Sequence, residues 1–233
     1  MSEAYLVTGC ELPSGNPLLE VVKTVCASAG IKPQQIDEIH LYTDAATTLF
    51  QRKQDTEVGP IFTWPLLPLL PAVGLQSLCR ALETGDLALC LLVEISGSGC
   101  SAILLANPIA VGRFNLSPLI HLANRLNLPD GMENLQTTAL KTLAMAPIEI
   151  ETENPVVDLR VPKPSPTQPW LALQSAETIS ELDWPTNRIL QSPSLCSSLL
   201  SLAFAMNKSK TERGVWMSIA NDGPVLSTLA MHL

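Results

Sequence analysis

Apolar residues recur at helical spacing over residues 18–29, as Leu18, Val21, Val22, Val25 and Ala29, and predict an amphipathic helix. Asn16-Pro17 reads as its start, with Asn as cap and Pro at the first helical position, and Gly30 reads as its stop. After a turn at Lys32-Pro33, Ile36-Asp-Glu-Ile39-His-Leu41-Tyr predicts a strand entering the core. Leu87-Ala-Leu-Cys-Leu-Leu-Val93 is apolar without interruption, which suits a strand buried on both faces of a layered sheet. Strands alternating with helices predict α/β architecture, with a largely parallel or mixed sheet covered by helices.

The chain states one unit twice. Residues 74–106 read helix, apolar strand, Gly-rich turn and apolar strand: a helix from Gly74 to Gly85, a strand from Leu87 to Glu94, the turn Ile-Ser-Gly-Ser-Gly, and a strand from Cys100 to Ala106. Residues 192–231 repeat that order, with a helix opening at Ser-Pro-Ser-Leu-Cys, a strand from Gly214 to Ala220, the turn Asn221-Asp222-Gly223, and a strand from Val225 to Met231. Two copies of one supersecondary unit predict two pseudo-repeated halves.

Between them, residues 113–146 read as helical, with breaks at Pro118 and at Pro129-Asp130-Gly131. Residues 151–169 carry Pro155, Pro162, Pro164, Pro166 and Pro169, a density that predicts an extended connector. Leu171 to Leu173 reads as a short strand beginning the second half. The expected organisation is an N-terminal half over 1–112, a helical segment and connector over 113–169, and a C-terminal half over 170–233, all within one compact domain.

Composition narrows the function classes. With 46% hydrophobic and 15% charged residues, the chain of 233 carries more interior or interface than usual. Its apolar runs, such as Leu66-Leu67-Pro68-Leu69-Leu70, are short and broken by proline, well under the roughly 18 residues that span a bilayer. Met-Ser-Glu-Ala-Tyr does not read as a signal peptide. Six scattered cysteines, with no Cys-x-x-Cys pair, point to reduced thiols in the cytoplasm and to no metal and no disulfide framework. A net charge of −8 with 14 basic residues argues against nucleic acid as a partner. Arg52-Lys53 and the Lys208, Lys210, Arg213 group sit beside acidic residues and read as solvated faces. Gly97-Ser98-Gly99 leads into a strand, so it offers no helix N-terminus to phosphate.

Several short segments, in order, resemble the thiolase-like superfamily of thiolases and β-ketoacyl synthases. Ile31-Lys-Pro-Gln-Gln-Ile-Asp-Glu-Ile resembles its helix-to-strand connection, and Gly74-Leu-Gln with the helix ending at Gly85-Asp86 resembles its nucleophile helix. Gln191-Ser192-Pro193-Ser194-Leu195 is similar to the thiolase Gly-His-Pro-x-Gly loop. Met217-Ser218-Ile219-Ala220-Asn221-Asp222-Gly223 is similar to the final Cys-bearing strand and Gly-rich turn. The resemblance covers about half the chain and implies the layered thiolase-like α/β fold in shortened form.

Chemistry in that family needs a thiol at a helix N-terminus, where dipole and free N–H groups lower its pKa. It also needs a histidine and, in thiolases, a second cysteine. By the resemblance these three positions fall on Pro71, Ser192 and Ser218. Proline has no thiol, and serine is no base near neutral pH. The resemblance therefore implies a pseudoenzyme with no catalytic residues and no cofactor. Its expected role is that of a chain-length-factor-type subunit, paired as a heterodimer with an intact ketosynthase or thiolase-like subunit in fatty acid, polyketide or polyene-type biosynthesis. It would shape the acyl tunnel or stabilise the dimer, with Gly74, Leu75, Leu78 and Cys79 as interface or tunnel candidates. An acidic acyl carrier protein would dock on the partner, since like charge disfavours docking here.

Two other functions remain open on the residues. A divergent acyl-thioester transferase or thiolase would use Cys100, after the glycine turn, or Cys196, in the first turn of a helix. A standalone acyl-ligand binding module would need neither. Cys79 and Cys90 read as structural thiols, and His40, His121 and His232 as histidines outside catalysis.

Overall fold

The computed structural model describes residues 4–45, 51–55, 57–67, 70–97, 99–128, 156–160, 188–190, 194–209, 213–219 and 225–231. They divide into two compact units, one holding the described residues up to His121 together with Ser194–Leu200, the other the remaining residues from Leu122 onward.

The first unit contains strands β1 (Ala4–Leu12), β2 (Glu38–Thr43), β3 (Gln51–Asp55), β4 (Gly59–Pro65), β5 (Leu89–Ser96) and β6 (Gly99–Ala106). Its helices are α1 (Leu18–Ala29), α2 (Leu70–Thr84) and α3 (Pro108–Phe114). The strands lie in the order β3-β4-β2-β5-β6-β1. β2 runs parallel to both β4 and β5, β5 and β6 form an antiparallel hairpin, and β6 pairs antiparallel with β1. β5 is buried along its first six residues and β6 along all but its first, as an uninterrupted apolar run requires.

One face of this sheet presents Ile39, Ile61, Leu91, Val93, Ala102 and Leu104 to the buried stripe of α1, which carries Val21, Val22, Val25 and Cys26. Period-2 alternation turns Tyr42, Leu92, Glu94, Ser101 and Ile103 to the opposite face. There α2 packs through Leu75, Leu78, Cys79 and Leu82.

The second unit contains β8 (Val156–Arg160), β9 (Arg188–Leu190), β10 (Arg213–Ile219), β11 (Val225–Met231) and most of β7 (Ile120–Leu128). Helix α4 (Leu195–Ser209) begins in the first unit and is counted with the second from Ser201. The strand order is β7-β11-β10-β8-β9. β8 runs parallel to both β9 and β10, and β10 pairs antiparallel with β11. This is the scheme of β1-β6-β5-β2-β4 over again, so the helix-strand-turn-strand repeat read from the sequence is a repeat of topology as well. The helix preceding each hairpin in the sequence is 15 residues long.

Three local expectations are corrected. Of the helix predicted over 113–146, Ile120–Leu128 forms β7 instead, and residues 129–146 lie outside the described residues. The apolar positions Ile120, Leu122, Leu126 and Leu128 keep a two-residue period, and Ile120 and Leu122 are buried. Within the proline-dense stretch, Val156–Arg160 forms a strand paired on both sides, because the prolines flank the segment and leave its N–H groups available. At α1, Pro17 takes the cap position with extended backbone, while Asn16 Nδ2 donates to the Pro13 carbonyl at 2.9 Å. Gly30 ends α1 with φ of 69°, a left-handed conformation that glycine adopts without strain. Leu171 to Leu173, Asn221-Asp222-Gly223 and His232 lie outside the described residues.

Candidate functional site

Pro71, where the resemblance would put the family's nucleophile, lies at the first turn of α2. Pro71 is buried there, one residue into the helix, and it supplies neither a thiol nor an N–H. Behind it, Gly74 meets the Tyr42 hydroxyl so closely that an added Cβ would overlap it and lie 2.8 Å from the ring carbon Cζ. Tyr42 is 1% exposed and stacks on Trp64, with centroids 6.4 Å apart and planes 16° apart. Ser218 lies in β10, paired in register with Leu226 of β11 and Arg160 of β8. Ser192 lies outside the described residues.

Leu75, Leu78 and Cys79 face the sheet and are buried, and Gly74 is half-buried. The surface of α2 away from the sheet carries Val73, 46% exposed, with Ser77 and Arg80. Leu67, just before the helix, is 50% exposed.

The sequence reading missed a buried polar cluster in the first unit. Sheet register sets Glu94 of β5 beside Tyr42 of β2 and Ser101 of β6. Glu94 is 3% exposed, and its Oε2 accepts from Ser194 Oγ at 2.7 Å and from the Cys196 N–H at 2.8 Å. Ser194 Oγ also accepts from the Ser197 N–H at 3.2 Å, which gives Ser194 the role of an N-cap for α4. Ser194 and Ser101 share a hydroxyl–hydroxyl hydrogen bond. Since the Ser194 proton points to the carboxylate, Ser101 is the donor of that pair. A carboxylate on the first amides of a helix gains from the dipole and from charge-assisted bonding. The signal in the sequence was a lone glutamate closing an apolar strand, since a buried charge has to be paired.

The two thiols offered as alternative nucleophiles, Cys100 and Cys196, are buried. Cys100 lies in β6 and is 4% exposed; burial, with Cys10 and Glu94 adding, pushes its pKa up to about 11. Cys196 is fully buried, and its Sγ donates to the Leu92 carbonyl at 3.5 Å. Burial also raises Cys10, Cys26 and Cys90, with Cys26 reaching about 11. A thiol so raised is almost wholly protonated near neutral pH, and the thiolate is the reactive form.

The described histidines are His40 and His121. His40 Nε2 bonds to Glu38 Oε2 at 3.0 Å, and its ring stacks on Phe62 and Trp64. Burial lowers its pKa more than the Glu38 carboxylate raises it. The His121 ring lies 5.3 Å from that of Tyr5. Among the described residues no cluster of three metal-ligating side chains occurs, and no helix is long and apolar enough to cross a membrane.

No protein-family model and no curated protein matches the chain. Solved structures do match along its length. An acetyl-CoA acetyltransferase from Syntrophomonas wolfei aligns with a TM-score of 0.70 over 100% of both chains at 12% identity. Human mitochondrial 3-ketoacyl-CoA thiolase aligns with a TM-score of 0.64 over 99% of both chains at 9% identity. The H285N variant of OleA from Xanthomonas campestris gives 0.65 over 98% of both chains at 8% identity. The chain has the thiolase-like fold, as the resemblance implied.

Proposed function

We propose that this chain is a non-catalytic subunit of the thiolase and ketosynthase kind. It pairs in the cytoplasm with an intact condensing enzyme of fatty acid, polyketide or polyene-type biosynthesis, shaping the acyl tunnel or stabilising the dimer. The observation that carries this reading is Pro71, buried in the first turn of α2 where such an enzyme needs its thiol. The other helix N-terminus of the repeat supports it, because there the Cys196 amide is bound to an internal carboxylate. The raised pKa of Cys100 supports it too, since an acyl-thioester transferase built on that residue would lack a thiolate. Leu67 and Val73 leave apolar surface beside the N-terminus of α2, and such surface suits a partner subunit. With the net charge at −8, an acidic carrier protein docks on the partner.

The test is incubation of the full chain with acyl-CoA and acyl-carrier thioesters, followed by intact-mass and peptide mass spectrometry. No acyl adduct is expected on any cysteine, and a condensing enzyme co-expressed with the chain should co-purify in a stable complex. An acyl group on Cys100 or Cys196 would replace this reading with the transferase. A well-behaved monomer that retains lipid, and ignores every condensing enzyme offered to it, would replace it with an acyl-binding module.

A further inference from the structure

We propose that Glu94 is a positioning residue that sets where helix α4 begins, overriding the start favoured by local sequence. The stretch Ser192-Pro193-Ser194-Leu195-Cys196-Ser197-Ser198 offers several serines able to cap a helix. Local chemistry favours Ser192, because Pro193 would then fill the first helical position, where its fixed φ is already helical. The helix instead begins at Leu195, with Ser194 as cap. The difference lies in a contact 100 residues away in sequence.

The Oε2 atom of Glu94 binds the hydroxyl of Ser194 and the amide of Cys196 together, at 2.7 and 2.8 Å. Ser101, on the neighbouring strand, donates to the same Ser194 hydroxyl. All these bonds require Ser194 to keep a cap conformation, with Cys196 as the second helical residue. A start at Ser192 would turn the Ser194 backbone helical and carry its hydroxyl away from β5 and β6. That would leave a carboxylate with 3% exposure short of two donors, and an acceptor stripped of its donors in a buried site is costly, more so when charged. The gain from proline at the first helical position is smaller, so tertiary contact wins.

The test uses the full chain and backbone NMR. In Glu94→Leu, the Cα secondary shift of Ser194 should move to helical values as the helix extends toward Pro193. In Glu94→Gln, whose side-chain oxygen can still accept, Ser194 should keep its cap shift, while the Cys196 amide exchanges roughly tenfold faster, about the difference one charge-assisted hydrogen bond makes. A Ser194 shift unchanged in Glu94→Leu overturns the proposal, and so does loss of protection spread evenly over β5, β6 and α4, the mark of general destabilisation. If Glu94→Leu does not fold, Glu94→Met, closer in length to glutamate and unable to accept these bonds, decides: the helix should start earlier, with the backbone at position 194 helical. An unmoved start in that variant overturns the proposal.

Discussion

Leu78→Asp is expected to prevent folding altogether. Leu78 is 2% exposed on the sheet-facing side of α2, between Leu75 and Leu82, which are 0% and 1% exposed. A carboxylate placed there has no cation to pair with on the buried face of that helix, and an unpaired buried ion costs several kcal/mol even after relaxation. The leucine's own burial, about 2–3 kcal/mol, is lost as well. A domain has about 5–15 kcal/mol of stability in all, so most of it goes. Val73→Asp is the companion, because Val73 is 46% exposed on the same helix and should tolerate the charge within about 0.5 kcal/mol. Far-UV circular dichroism should show helix and strand lost in the first variant and kept in the second. If Leu78→Asp keeps the native spectrum, α2 does not pack on the sheet through this face. Co-purification then reads the interface on Val73→Asp, with a folded protein that no longer holds its partner.

Gly74→Ala is expected to destabilise by about 1–3 kcal/mol, the range for overpacking a site that cannot relax cheaply. The new methyl would overlap the Tyr42 hydroxyl and lie 2.8 Å from Cζ. The ring has little room to retreat, being 1% exposed and stacked on Trp64. Alanine is ordinarily the better helix former by about 1 kcal/mol, so the sign of the effect is itself informative. Thermal unfolding should show a midpoint lowered by roughly 2–12 °C. Adding Tyr42→Phe should recover part of the loss, because the hydroxyl is gone while Cζ still crowds the methyl; the two changes are then non-additive. Gly112→Ala in α3 is the control, since nothing lies within 4 Å of its added Cβ, and it should be neutral or mildly stabilising. Equal effects at both glycines would mean that Tyr42 does not lie against α2.

Periodicity carried much of the fold. A 3.6-residue stripe marked α1, and the uninterrupted apolar run from Leu87 placed β5 in the middle of a covered sheet. The order helix, strand, turn, strand appeared twice because each unit sets a parallel strand beside the first strand of an antiparallel hairpin. Where the reading failed, two periods competed. Residues 120–128 keep a strand's alternation inside a stretch rich in helix formers, and pairing in the sheet decided for the strand. Pro155 and Pro162 looked disruptive, but Val156–Arg160 fits between them.

At the position the resemblance would give to the nucleophile, the chain's own residues determined what can stand there, since proline at position 71 has no thiol in any fold. They also determined which residue types stand at 192 and 218. What only tertiary structure decided is the environment of the groups that are present. Cys196 looked well placed by its helical turn, but the fold buries it and binds its amide to Glu94. Leu78 and Cys79, candidates for an interface, turned out to face the sheet. Glu94, Ser101 and Ser194 are separated by up to 100 positions, and sheet register with the path of α4 brings them together. Local pattern fixes which residues prefer burial, while hydrogen-bond partners across that distance exist only once the strands have paired.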